Sequence, residues 1–367
     1  MPLTAGIVGL PNVGKSTLFN AITKSQVEAA NYPIATIQPN VGVVEVPDAR
    51  IDRLAELFHP KKTIYTTFEF TDIAGLVKGA SKGEGLGNQF LSNIRLTDAI
   101  CHVVRCFEDP DITHVEGSVD PIRDIEIINL ELIMADLQTV ENRLAKVERK
   151  AQTNKDKDAM AEVAVLKKIK DALEAEKPAR SVELDKDELA IVKAFSLLTL
   201  KPVIYVANMS DEDIMDPESN PLYQKVKAFA AAENSHVVPV CAKIEEELSG
   251  LDKEEKAEFL KELGIAESGL DQIIKTAYSI LNLRTFLTAG EDECRAWTFK
   301  QGMKAPECAG VIHTDFQKGF IRAETYAFED IDRLGSEHAV KEAGKLRLEG
   351  KDYVVQDGDV LHFRFNV

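Results

Sequence analysis

Eight residues near the amino terminus have the types and spacing of a phosphate-binding loop. The segment Gly9–Ser16 matches the pattern G-x-x-x-x-G-K-[ST]. It follows a short apolar run, Thr4–Val8, and opens a helical stretch, so its backbone N–H groups would lie at the positive end of a helix dipole. Lys15 would reach the β- and γ-phosphates, and the Ser16 hydroxyl would ligate Mg²⁺. The sequence therefore predicts that a nucleoside triphosphate is bound by Asn12, Val13, Gly14, Lys15, Ser16 and Thr17.

A second motif indicates the metal and the γ-phosphate. Residues 72–75 match D-x-x-G at the end of a predicted strand. In this motif the aspartate meets Mg²⁺ through water, and the glycine N–H senses the γ-phosphate. Thr36, in the loop 32–40, is placed to close over the metal as a switch residue. We predict Ser16, Thr36 and Asp72 at the metal, with Lys15 and Gly75 at the reacting phosphate.

The residue after this motif predicts slow intrinsic hydrolysis. Many GTPases place a glutamine there to orient the attacking water, whereas this chain has Leu76, which cannot position water. Asn12 offers one substitute, because its amide oxygen could hold a K⁺ ion beside the phosphates. His114, in a polar loop beyond the fourth predicted strand, is a second catalytic candidate. The alternative for His114 is a solvated loop histidine.

Base recognition is expected after the fifth predicted strand, at residues 208–211, Asn-Met-Ser-Asp. In the guanine signature N-K-x-D, the aspartate accepts from guanine N1–H and the 2-amino group, and the lysine packs on the ring. Met209 replaces that lysine here, and an ionised Asp211 would repel the acceptor N1 of adenine. Residues 241–243, Cys-Ala-Lys, resemble the S-A-K loop that backs the base. We predict nucleotide contacts from Asn208, Met209, Asp211, Cys241 and Ala242.

A mostly parallel α/β sheet must hold these motifs, since ligand loops of doubly wound sheets follow the carboxyl ends of the strands. Short, β-branched runs predict strands at Thr4–Val8, Val41–Val46, Phe68–Asp72, Ile100–Val104, Val203–Ala207 and Val237–Val240. Between the fourth and fifth of these, apolar residues at 3–4 spacing from Leu130 to Val147 predict a long amphipathic helix. A polar break, Gln152–Asp158, and a returning helix, Met160–Glu176, complete an inserted antiparallel hairpin.

From about Leu283 the hydrophobic period returns to two, which predicts a small, separate α+β domain. Strands are predicted at Ala296–Phe299, Ala309–Ile312, Ile321–Tyr326, Lys351–Val355 and Val360–Phe365, with a helix at Ile331–Glu342.

Composition and charge restrict the cellular setting and the partners. The chain has 367 residues and a formal net charge of −17, which argues against a general nucleic-acid coat. The segment Arg143–Lys170 nevertheless holds nine Lys/Arg against four Asp/Glu, so the hairpin tip is locally basic. No apolar stretch approaches the roughly 18–20 residues of a membrane span, and no signal pattern begins the chain. We expect a cytoplasmic protein that does not bind membranes, with its five cysteines reduced.

Together these motifs resemble the YchF subfamily of Obg-related P-loop proteins, also called Obg-like ATPases. The resemblance covers essentially the whole chain. It rests on residues Gly6–Asn20, Asn31–Pro39, Asp72–Asn88, Phe107–Pro121, Arg295–Trp297, His313–Arg322 and Glu349–Val367. One departure is Asp211, where the family usually has Glu.

The resemblance implies three parts: a G domain (1–125 and 200–282), an inserted helical coiled-coil hairpin (126–199) and a C-terminal TGS domain of β-grasp fold (283–367). It also implies a ribosome-associated ATPase that uses ATP as well as or better than GTP, with Mg²⁺ and stimulation by K⁺. A histidine at the position of His114 is a suggested catalytic substitute. We expect a monomer that contacts the ribosome (the large subunit or the 70S particle) and rRNA through the basic tip 143–170 and the TGS domain.

Two alternatives remain open at this point. A GTP-specific assembly or translation factor is favoured by Asp211 and opposed by Met209. A nucleotide-gated ribosome- or RNA-binding protein with incidental hydrolysis is favoured by Leu76 and opposed by Asn12 and Lys15.

Overall fold

The computed structural model describes residues 3–25, 40–73, 86–154 and 156–366. These residues form two compact units. Unit 1 comprises residues 3–25, 40–43, 69–73, 86–154 and 156–273, and unit 2 comprises residues 44–68 and 274–366. The predicted switch residue Thr36, together with Gly75 and Leu76, lies outside the described residues.

Strands and helices are numbered in the order in which they follow along the chain. The strands are β1 (Thr4–Val8), β2 (Val41–Glu45), β3 (Lys62–Ile64), β4 (Thr67–Asp72), β5 (Ala99–Arg105), β6 (Val203–Asn208), β7 (His236–Val240), β8 (Leu283–Thr288), β9 (Glu293–Lys300), β10 (Phe320–Ala327), β11 (Arg347–Glu349) and β12 (Asp359–Phe365). The helices are α1 (Lys15–Lys24), α2 (Ala49–Phe58), α3 (Leu86–Arg95), α4 (Pro121–Asn154), α5 (Lys157–Glu174), α6 (Lys186–Lys193), α7 (Pro221–Ala232), α8 (Ala242–Leu248), α9 (Lys253–Glu262), α10 (Gly269–Ile280), α11 (Ala305–Ile312), α12 (Thr314–Lys318), α13 (Phe328–Leu334) and α14 (Glu337–Glu342).

The sheet that carries the predicted site has the order β2-β4-β1-β5-β6-β7. The pairs β4–β1, β1–β5, β5–β6 and β6–β7 are parallel, which confirms the predicted mostly parallel α/β sheet. Each of the six strands predicted for this sheet is present within one residue at either end. Every residue of β5 and β6 is buried, because central parallel strands are covered on both faces and therefore read as continuous apolar runs.

The inserted helices α4 and α5 pack on each other within unit 1, as predicted. Their shared core contains Ile133, Val140, Leu144, Val147, Val165, Leu166, Ile169 and Leu173. The predicted polar break was too long, since α4 continues to Asn154 and α5 begins at Lys157. Asp156 caps α5 by accepting from the N–H groups of Asp158 and Ala159, so a single capping residue is enough to start the returning helix.

The sheet of unit 2 has the order β11-β10-β12-β8-β9-β3. The prediction missed β8 and β11, and it missed β3, which comes from the early chain and lies parallel to β9. The predicted helix Ile331–Glu342 is two helices, α13 and α14, because Gly335 ends the first in a left-handed conformation with φ 79°.

Two predicted strands of unit 2 were wrong. Residues 309–312 form the end of α11, which starts with Pro306 in its first turn and with Glu307 accepting from the Lys304 N–H at 2.7 Å. A four-residue apolar run cannot distinguish a strand from a buried helix. Residues 351–355 make one isolated bridge, Lys304–Val354, because their backbone pairs with the irregular segment before α11 rather than with a strand.

Among the residues described, no helix combines the length and the apolar character needed to cross a membrane.

Candidate nucleotide-binding site

The loop after β1 has the backbone of a phosphate-binding loop. Gly14 is left-handed, with φ 98°, and is the N-cap of α1. A Cβ atom at Gly14 would collide with the side-chain nitrogen of Asn208, so this position needs glycine both for its conformation and for a close approach. Asn12 is also left-handed, with φ 64°, which asparagine tolerates better than most residues. The loop thus delivers Lys15, Ser16 and Thr17 into the first turn of α1.

Lys15 and Asp72 lie side by side at the carboxyl ends of neighbouring strands. The Lys15 ammonium is 2.5 Å from the Asp72 carboxylate, and both side chains are mostly buried. This ion pair joins the two motifs that the sequence placed at the phosphates and at the metal. It also keeps the lysine charge compensated beside the loop that would receive a triphosphate.

A cavity of about 540 Å³ opens beside this loop within unit 1, which is the size of a small-ligand site. Its lining includes predicted residues from the three loops after β1, β6 and β7: Asn12, Gly14, Lys15, Ser16, Thr17, Asn208, Met209, Asp211, Cys241 and Ala242. The remaining predicted residue of the first loop, Val13, is buried, and its carbonyl accepts a hydrogen bond from Asn208.

Asn208 holds two of these loops together. Its side-chain nitrogen donates to the Val13 carbonyl at 2.9 Å, and its side-chain oxygen accepts from the Ala242 N–H at 3.0 Å. Met209 is 2% exposed, and its N–H donates to Val240. The asparagine therefore fixes the distance between the predicted phosphate end and the predicted base end of the cavity.

Sequence reasoning missed the loop after β5 as part of the cavity wall. Phe107, Glu108, Asp109 and Ile112 line the cavity. Arg105, at the end of β5, is 1% exposed and donates to three backbone carbonyls of this loop, those of Phe107, Asp109 and Ile112. An arginine that ends a largely apolar buried strand is a signal that could have identified this loop, because a buried charge requires several partners.

The catalytic candidates Asn12 and His114 lie close together, because Asn12 bonds Thr113, the residue before His114. The Asn12 side-chain nitrogen donates to the Thr113 carbonyl at 3.0 Å, which links the phosphate-binding loop to the loop after β5. The adjacent His114 is 6% exposed, so its interpretation as a solvated loop histidine was wrong. Its Nε2 is 2.7 Å from the buried Asp124 carboxylate, and its Nδ1 accepts from the Glu116 N–H. His114 does not appear among the residues that line the cavity.

The residues at this edge fit a magnesium nucleotide. Mg²⁺ is usually held by one or two protein oxygen ligands together with substrate phosphates. Ser16 lines the cavity, and Asp72 lies beside Lys15, so a hydroxyl and a carboxylate adjoin the loop that would hold those phosphates.

The basic tip of the inserted hairpin is less basic than its sequence indicates. Many of its cations form ion pairs with carboxylates on the hairpin or on α6: Arg143–Glu162, Lys150–Asp156, Lys167–Glu148, Lys168–Glu188 and Lys170–Glu141. In unit 2, Arg364 is likewise bonded to Glu324 through two nitrogens at 3.1 Å. Lys146 and Lys157 are exposed basic side chains at the tip.

Comparison with known proteins identifies the two parts of the chain. A family described as a 50S ribosome-binding GTPase matches residues 4–142, and the carboxy-terminal domain family of YchF GTPases matches residues 283–366. A protein of Bacillus subtilis (strain 168), named ribosome-binding ATPase YchF, is 65% identical over all 367 residues of both chains. A protein of the same name from Escherichia coli O157:H7 is 56% identical over the full length of both chains.

A solved structure has the same fold. The Schizosaccharomyces pombe YchF GTPase superimposes with a TM-score of 0.89 and 43% sequence identity, covering 99% of this chain and 97% of that one.

Proposed function

The chain belongs to the YchF family of P-loop nucleoside triphosphatases, and from that premise we propose that it is a ribosome-associated, nucleotide-dependent switch. It hydrolyses the β–γ phosphoanhydride bond of a nucleoside triphosphate and prefers ATP to GTP. The observation that carries the proposal is the cavity in which Lys15, Asn208 and the loop 241–242 meet.

Different residues of the cavity bind the phosphates and the metal ion of the nucleotide. Backbone N–H groups of residues 12–17 and the Lys15 ammonium bind the phosphates, at the positive end of α1. Binding requires Lys15 to exchange its contact with Asp72 for phosphate oxygens, which leaves the carboxylate available to a metal. Ser16 and Asp72, with Thr36, would hold Mg²⁺, which withdraws negative charge from the phosphate oxygens when it is bound.

Hydrolysis in this scheme is slow without help. Leu76 cannot orient water. We therefore assign the positive charge that an arginine finger would place beside the phosphates to a K⁺ ion, held by the side-chain oxygen of Asn12. The contact of the Asn12 nitrogen with Thr113 supports this role, because it directs the oxygen away from that loop. His114 remains the second catalytic candidate. It would have to leave Asp124 to reach the nucleotide.

The switch links nucleotide to ribosome binding. The γ-phosphate orders Thr36 and Gly75, and this ordering changes the affinity of the insert (126–199) and the TGS domain (283–367) for the ribosome. The names of the relatives support the ribosome as partner. We propose a cytoplasmic monomer whose G domain spans 1–125 and 200–282.

A GTP-specific factor is the second candidate, and one observation favours it. Asp211 lines the cavity and carries the carboxylate that reads guanine in the N-K-x-D signature.

Titration of nucleotide-free protein with fluorescent ATP and GTP analogues tests the proposal, with Mg²⁺ present and K⁺ varied. We expect ATP to bind more tightly than GTP. In turnover assays, we expect K⁺ and purified ribosomes to stimulate hydrolysis. Lys15→Ala should abolish turnover and weaken binding of the triphosphates. Lys24→Ala is the matched control, because Lys24 lies at the other end of α1, in an exposed pair with Glu246.

Tighter binding of GTP by tenfold or more, about 1.4 kcal/mol, would select the second candidate. Turnover that neither K⁺ nor ribosomes stimulate would contradict the switch and leave a binding protein with incidental hydrolysis.

A further inference from the structure

Lys243 has no assigned role, yet it contacts the residue on which base recognition depends. It lies in the first turn of α8 and lines the cavity together with Asp211. Its ammonium nitrogen is 3.2 Å from the Asp211 carboxylate, and both side chains are exposed. The hydrogen bond from Lys243 is the main reason that the pKa of Asp211 lies below its usual range. Asp211 is therefore ionised and has one oxygen already engaged.

The neighbouring polar residues Asn208 and Ser210 already form hydrogen bonds within the protein. Asn208 uses its side-chain nitrogen on Val13 and its oxygen on Ala242. The Ser210 hydroxyl accepts from the Asp213 N–H at 3.1 Å. Among the residues of the loops after β6 and β7 that line the cavity, Asp211 and Lys243 are the charged pair.

The two purines place different demands on that pair. Guanine donates from N1–H and from its 2-amino group to the two carboxylate oxygens, so Lys243 competes with it for one of them. Adenine has an acceptor at N1, which a bare carboxylate repels, and a donor at its 6-amino group. A lysine beside the carboxylate reduces that repulsion and supplies a donor for N1.

We propose that Lys243 is a specificity-determining residue, which shifts the base preference of this cavity towards adenine by pairing with Asp211. The inference rests on the proposed function in one respect, namely that the cavity binds a nucleotide. It explains how a chain with aspartate at position 211 can retain a preference for ATP.

The expected effect is modest because the pair is exposed. Pairs of this kind contribute little, and their loss corresponds to a shift of about two- to fivefold in relative affinity. Since salt screens exposed charges, the preference for adenine should weaken as ionic strength rises.

The test measures affinities for fluorescent ADP and GDP, so that hydrolysis does not interfere. In Lys243→Met, the affinity for GDP relative to ADP should rise about two- to fivefold. Lys243→Gln, which keeps the polarity of the side chain, should show the same direction. The matched control is Lys227→Met, because Lys227 is also an exposed lysine in an ion pair, 2.5 Å from Glu218, and does not line the cavity.

A double-mutant cycle identifies the mechanism. In an Asp211→Asn background, Lys243→Met should change the GDP/ADP ratio less than it does in the unmodified protein, because only the donor to N1 is then lost. Raising tetramethylammonium chloride at constant K⁺ should move the wild-type ratio towards that of Lys243→Met.

Two outcomes would overturn the inference: a shift towards ADP, or an unchanged ratio, whether both affinities stay the same or both change equally. An equal change would indicate only general attraction of the phosphates. Failure of the premise that the cavity binds a nucleotide looks different, because the unmodified protein would then bind neither ADP nor GDP.

Discussion

Arg105 shows how one buried side chain shapes the nucleotide cavity. Its guanidinium donates to the carbonyls of Phe107, Asp109 and Ile112 at 2.8–3.2 Å and lies 4.7 Å from the centre of the Phe107 ring. The same three residues line the cavity. An arginine suits this task because its planar fork presents several donors in fixed directions, which a lysine cannot reproduce. We infer that Arg105 is a positioning residue for the cavity wall.

Arg105→Met is expected to weaken ATP and GTP binding to a similar degree, by about tenfold. Three carbonyls lose their donor, and the loop that they belong to lines the cavity proposed for either nucleotide. Fluorescence titration well below the melting temperature measures this effect separately from stability. Arg105→Lys should give an intermediate loss, since it keeps the charge but not the fork. Unchanged affinities in the folded Met variant would show that the loop holds its position without Arg105.

At the scale of elements, a buried polar cluster joins the insert to the sheet. His102 of β5 packs on Tyr205 of β6, with 5.6 Å between the ring centres. The Tyr205 hydroxyl bonds Glu233, which also accepts from Arg180, a residue of the insert (126–199) that follows α5. Burial, together with the charge of Arg180, lowers the pKa of His102 to about 3. His102 is therefore neutral in the folded protein at all but strongly acidic pH.

This cluster predicts a pH-dependent stability. An unfolded histidine titrates near pH 6.5, so between about pH 6.5 and pH 3 the unfolded state binds a proton that the folded state does not. The contribution of neutral His102 is complete above that range and is lost as the pH falls. At pH 5 the loss is about 2 kcal/mol relative to pH 7.

Denaturant unfolding of His102→Gln at pH 7 and pH 5 checks the value. The variant should lose about 2 kcal/mol less than the unmodified protein over this interval. His236→Gln, which removes an exposed histidine of the same unit, is the control and should leave the pH dependence unchanged. If both variants behave alike, His102 titrates normally.

For the whole molecule, the distribution of charge matters more than its sum of −17. A strongly acidic protein can bind rRNA only through a local basic surface, because phosphate contacts depend on nearby cations. At the tip of the insert, several lysines and an arginine are already paired with carboxylates. Lys146 and Lys157 remain as exposed cations on that surface.

Reversing both charges, with Lys146→Glu and Lys157→Glu, should weaken co-sedimentation with ribosomes and make it less sensitive to salt. The slope of log affinity against log salt should fall by about one for each phosphate that the tip no longer neutralises. The control places the same charge change on α7, with Lys225→Glu and Lys227→Glu. Equal losses of ribosome binding in the two double variants would indicate an effect of net charge alone. No loss in the first pair would contradict rRNA binding by the tip.

The sequence by itself determined the sheet and the order of the motifs. The loops at 9–16, 72–75, 208–211 and 241–243 each follow a strand whose apolar run is visible locally. Parallel strands bring their carboxyl ends to one edge, so these motifs had to converge once the strands were recognised. The hairpin was equally predictable, because a 3–4 spacing sustained over several turns has a single interpretation.

The tertiary structure alone decided the contacts between distant residues. Strand β3 joins the carboxy-terminal sheet beside β9, and Lys243 contacts Asp211. No periodic pattern in the sequence indicates either contact. Residues 309–312 are helical because of their cap and their packing, which a four-residue pattern does not record. Local periodicity reports which face of an element is buried. Which partner covers that face, and which charge an exposed carboxylate meets, depends on segments far apart in sequence.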